Sequence, residues 1–98
     1  MPIYATVYWY VDDSDLISKH RPQHRDYISS LTGKGLVASG KTEESDGPSA
    51  LLLFDCESKP VVERLLDSDP FQTLGLIRKR EIFEWVISTG SLGRNNVG

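Results

Sequence analysis

The chain is most quickly bounded by what it has little of. It carries one cysteine, Cys56, so no internal disulfide can form and nothing calls for an oxidising compartment. No apolar run approaches the roughly 20 residues of a membrane span, and Met1-Pro2-Ile3-Tyr4 lacks the basic start of a signal peptide. The expectation is a cytoplasmic protein with no membrane partner. The net charge of −3 offers no broad basic field, which argues against nucleic-acid binding. There is no Walker loop, no dinucleotide glycine fingerprint and no GxSxG elbow, and no cofactor is expected. The two histidines, His20 and His24, stand four apart, but no third ligand is spaced to complete a metal site.

What is present suits one small α+β domain. At 98 residues the chain is a single unit, expected to span 1–89 with a flexible tail over 90–98. Ile3 to Val11 is dense in aromatic and β-branched residues and reads as a strand. Its aliphatic set (Ile3, Ala5, Val7, Trp9) suits packing against helices. Its tyrosine set (Tyr4, Tyr8, Tyr10) suits the opposite, open face. Asp12 to His20 reads as a polar loop. Pro22 then opens a helix at its favoured first position, with His24, Tyr27, Ile28 and Leu31 along one side. Leu36–Lys41 and Ala50–Asp55 read as strands around an acidic turn at 42–49. Pro60 opens a second helix, Asp69-Pro70-Phe71 a short helical turn, and Glu81 to Ser88 forms the last strand.

The order is β-α-β-β-α-β, the ferredoxin-like split βαβ: a four-stranded antiparallel sheet with two helices on one face. The other face has no helix left to cover it. A second copy stacking sheet on sheet would do so, making a homodimer.

Two residues carry the strongest chemistry. His24, placed in the first turn of its helix, would be kept neutral by the partial positive charge there and be free to act as a base. The plain alternative is a histidine packed beside Tyr27. Asp69 is an ordinary N-cap by position, yet a carboxylate there would also hold an imidazole in one tautomer; Asp67 competes for that role. Arg21 would clamp an anionic oxygen or stand exposed. Ser39 and Gly40 end a strand, where glycine permits a ligand's approach or merely a turn. Tyr8 and Tyr10 would lend hydroxyls to a pocket or only pack. Cys56 reads as structural, and Arg78-Lys79-Arg80 as a solvated run before the last strand.

The aromatic first strand, Arg21-Pro22-x-His24 with Tyr27-Ile28, the Gly40 strand end, Asp69-Pro70-Phe71 and the last apolar strand together resemble the YCII family of dimeric α/β-barrel proteins over residues 3 to 88. The resemblance implies a ferredoxin-like fold dimerised through its sheets and a His-Asp site, here His24 and Asp69. It implies no cofactor. By fold-level analogy, related barrels include isomerases, cofactor-free monooxygenases and a dehydrochlorinase. The expected function is acid/base isomerase or lyase chemistry on a small oxygenated cyclic or aromatic metabolite, with Arg21, Ser39, Gly40 and Tyr8 binding it. The alternative is a non-catalytic ligand-binding or structural dimer. The short acidic 42–49 loop and the extra tail depart from the family pattern, so the substrate does not carry over.

Overall fold

The structure is a computed structural model and describes residues 1–90; residues 91–98 of the expected tail lie outside the described residues. Four strands, β1 (Ile3–Tyr10), β2 (Leu36–Lys41), β3 (Ala50–Asp55) and β4 (Ile77–Trp85), form one antiparallel sheet in the order β2-β3-β1-β4. Helices α1 (Ser14–Ser30) and α2 (Lys59–Asp67), the single helical turn α3 (Pro70–Thr73) and a 3-10 turn over Leu31–Lys34 after α1 complete the described elements. This is the ferredoxin-like βαββαβ arrangement.

The first helix begins well before Pro22. Asp13 caps it, its carboxylate accepting from the Leu16 amide at 3.1 Å, and Asp15 sits in the first turn. The buried stripe therefore starts at Ile17 and continues through His24 and Ile28. Pro22 lies inside α1, with its ring on the exposed surface. It removes one backbone bond from a helix that is otherwise capped and anchored. The expected loop over Asp12 to His20 is thus mostly helix, and His24 lies in the helix interior. The positive field of the helix N-terminus therefore does not keep His24 neutral, because it fades beyond the first turn.

Pro60 does sit at the start of α2, and Asp69 does cap α3, accepting from the Phe71 amide at 3.0 Å. A left-handed Gly75 (φ +73°) ends α3, and β4 starts at Ile77, earlier than the sequence suggests. Arg78, Lys79 and Arg80 are therefore strand residues rather than a solvated lead-in. Lys79 lies 4.5 Å over the Trp9 ring, and Arg80 bonds Asp67 at 3.0 Å. Pairing ends at Trp85 opposite Ile3, where β1 begins.

The two faces of β1 are the reverse of the expectation. Tyr4, Thr6 and Tyr8 are buried under the helices with Leu52, Phe54 and Ile82. Val7 and Trp9 occupy the open face. There the register sets Val7 opposite Leu51, Ala5 opposite Phe83 and Ile3 opposite Trp85. Both sets are apolar enough for a core, so alternation gives the period but not its sense.

Candidate active site

A buried carboxylate organises this region. Asp69 is fully buried, and the backbone of the α2–α3 junction aims it beneath α1. Its two oxygens receive three donors. The Phe71 amide reaches one oxygen at 3.0 Å, the Tyr8 hydroxyl reaches the other at 3.0 Å, and His24 Nδ1 lies 2.8 and 3.0 Å from the pair. An ionised carboxylate only accepts, so Nδ1 carries its proton toward Asp69. In the neutral ring the lone pair is then on Nε2. Burial, with the Asp69 charge and hydrogen bond adding to it, raises the Tyr8 phenol far above its ordinary range. Tyr8 therefore stays a donor at any physiological pH.

The imidazole is fixed from its face as well. The Phe71 ring stacks on it with centroids 4.1 Å apart and planes 4° from parallel. Tyr10 meets the far side of this assembly, edge-on to Phe71 at 5.1 Å. One turn of chain, Asp69-Pro70-Phe71, thus sets both the tautomer and the tilt of His24.

Beside the imidazole lies a cavity of about 330 Å³ between α1 and the β2–β3 edge of the sheet. This is at the small end of metabolite-sized pockets. Residues 21, 24, 25 and 28 share one face of α1 and reach it together. Arg21, His24, Ser39 and Gly40 all line it. Gly40 is inside β2 without left-handed backbone, and an added Cβ would meet nothing within 4 Å. No turn and no close packing among the described residues explains the glycine.

Tyr8 is not on the cavity wall; it stands behind it, fully buried on Asp69. Tyr10 lines the cavity instead, its phenol raised by burial, with Arg21 opposing that shift and Asp69 adding to it. Asp67 is half a turn away and belongs to Arg80. His20 contacts Gln23, at 3.2 Å from Nδ1. Among the described residues no group of His, Cys, Asp or Glu converges as metal ligands would, and no helix is long and apolar enough to cross a membrane.

Sequence reading missed Phe71, Arg25 and Lys41. Arg25 follows Arg21 by four residues, and Lys41 follows Ser39 by two on the same strand face, so helical and strand periodicity were signals for both. Phe71 had no such signal beyond its place after a capping Asp.

Comparison with solved structures gives the same architecture. The 5-chloro-2-hydroxyhydroquinone dehydrochlorinase TftG from Burkholderia phenoliruptrix AC1100, in complex with 2,5-dihydroxybenzoquinone, matches with a TM-score of 0.72 at 18% identity, over 85% of this chain and 92% of that one. A variant of SnoaB, a cofactor-independent oxygenase from Streptomyces nogalater, matches at 0.52 and 10% identity, over 91% and 94%. A dimeric ferredoxin-like protein of unknown function from Thermobifida fusca matches at 0.51 and 11%, over 85% and 87%. At these identities the likeness is one of fold. No curated protein sequence matches. The profile of the YCII-related domain matches residues 3–86, nearly the whole of what the structure describes, and the chain belongs to the YCII family.

Proposed function

We propose that this protein is a cofactor-independent acid/base enzyme acting on a small oxygenated cyclic or aromatic metabolite. The reading is carried by the 2.8 Å contact between His24 Nδ1 and a fully buried Asp69, at the wall of a metabolite-sized cavity. His24 is the general base and acid. Its Nε2 takes a proton from a ligand carbon, and the electron pair moves onto a conjugated oxygen as an enolate. Return of the proton at another carbon completes an isomerisation. When the carbonyl re-forms, the pair instead makes a C=C bond to the neighbouring carbon, whose leaving group departs with its own bonding pair, and this completes an elimination. Asp69 holds the tautomer and stabilises the imidazolium, as the orienting acid of a catalytic triad does. Arg21, or the backbone at Gly40, steadies the oxyanion. The dehydrochlorination named for TftG is an elimination of this class and supports the choice.

The active form in this reading is a homodimer stacked through its open sheet faces. Leu51, Phe83 and Trp85 are all more than 40% exposed there, an apolar surface with no helix over it.

Deuterium exchange tests the chemistry without a known product. Hydroxylated quinones and enolisable cyclic ketones are incubated with the protein in D2O and followed by proton NMR. Exchange at a ring carbon is expected with the wild type and is lost in His24→Ala, whose fold persists. Exchange that continues undiminished in that variant removes His24 from the mechanism.

A further inference from the structure

The cavity beside His24 has a charge that the proposed chemistry does not explain. Arg21, Arg25 and Lys41 all line it, and no carboxylate among the described residues does. This concentration of positive charge sits in a chain whose net charge is −3. Arg21 and Arg25 make no ion pair and no side-chain hydrogen bond among the described residues. Lys41 meets Glu43 at 3.3 Å, but both ends are well exposed, so that pair restrains it weakly. Asp12, Asp13 and Asp46 line a second cavity that Arg21 also borders, and none of the three pairs with it. Asp69 already holds three donors, is fully buried and does not line the cavity. Among the cations the lining is apolar at Ile28, Ala50 and Leu52, which are buried.

Unpaired guanidinium groups held near one another repel, and a fold keeps such an arrangement at some cost in stability. A ligand of matching form would offset that cost. We infer that the cavity takes a cyclic acid: an apolar ring against Ile28, Ala50 and Leu52, and a carboxylate clamped by Arg25 and Lys41 with Arg21 beside it. The inference rests on the proposed site but deepens it. The clamp would bind the ground-state carboxylate, leaving Arg21 shared with the oxyanion that forms at His24. The planar fork of an arginine suits a carboxylate in two-point contact, and a lysine adds a mobile charge at the mouth.

The test separates charge from shape and needs no turnover. Benzoate and its neutral counterpart benzamide are titrated into 15N-labelled protein and followed by amide shifts. Benzoate is expected to move the amides of 21–29 and 39–41 and to bind about tenfold more tightly than benzamide, the effect of one charge-assisted hydrogen bond. Arg25→Gln combined with Lys41→Gln should erase the difference while leaving the remaining spectrum unchanged. Benzoate binding that persists in His24→Ala supports the clamp even if the exchange experiment removes His24 from catalysis. Equal binding of benzoate and benzamide overturns the inference. So does inorganic phosphate that matches benzoate at the same amides, because the site would then read charge without the ring.

Discussion

The two faces of the sheet differ less in composition than in how their polar atoms are accounted for. The covered face holds Tyr4, Thr6 and Tyr8 with Leu52, Phe54 and Ile82. The open face holds Val7, Trp9, Leu51, Phe83 and Trp85. By hydrophobicity the second set is the better candidate for a core. On the first, the Tyr8 hydroxyl has something to meet. Among the described residues Tyr8 is the only side-chain hydroxyl that reaches Asp69, and a buried carboxylate needs donors. The sense of the sheet follows the polar network, and the surplus apolar surface is left outside.

The largest effect should come from the centre of that network. Asp69→Ala strands the Tyr8 hydroxyl and the Phe71 amide, removes the α3 cap and frees His24. A loss of about 3–5 kcal/mol is expected, from buried donors left unsatisfied at about 1–3 kcal/mol each and a lost helix cap of about 1 kcal/mol. Urea unfolding measures it. A loss under about 1 kcal/mol, the usual size of a surface change, would mean that the carboxylate is not the hub of this face.

The open face should respond in the opposite way. Leu51→Glu with Phe83→Glu places two charges where exposure already exceeds 40%. The monomer fold should persist by circular dichroism, while the wild-type dimer at micromolar concentration falls to monomer in sedimentation velocity. A wild type that already sediments as a monomer ends the pairing proposal, and the apolar face then needs another explanation.

The same contrast shows what could be read from the chain alone. β2 and β3 were legible to their end residues, because Gly35, the acidic turn and Asp55 punctuate short apolar runs. Gly35 has a further reason to be glycine: with φ at +114°, an added Cβ would sit 2.7 Å from the Asp55 carbonyl oxygen and from Cys56 Sγ. The pairing of His24 with Asp69 was reachable because element order brings α1 beside α3. The start of α1 was not, since Pro22 is a strong local signal and the weaker cap at Asp13 outweighs it only once Ile17 has a core to enter. The sense of β1 was illegible for a plainer reason. Its two faces are nearly equal in apolar character, and what decides between them lies 61 residues away at Asp69. Arg25 and Lys41 were invisible as a pair because nothing local says that a helix face and a strand end will share a cavity.

The smallest expected effect tests the sense of β1 most directly. Thr6 lies between the tyrosines on the covered face and has no exposed surface. Its hydroxyl finds no partner among the described residues. A buried hydroxyl without a hydrogen bond is a liability, and replacing it by a methyl group of similar shape removes the desolvation cost while filling the same space. Thr6→Val should therefore leave stability unchanged or raise it by up to about 1 kcal/mol. On the open face the same substitution would exchange one exposed strand residue for another, and any gain would come with stronger self-association. The two cases separate when melting is measured across a wide range of protein concentrations in Thr6→Val and wild type. On the covered face the shift between them is independent of concentration. A shift that grows with concentration would place Thr6 on the open face and reverse the assignment of the core.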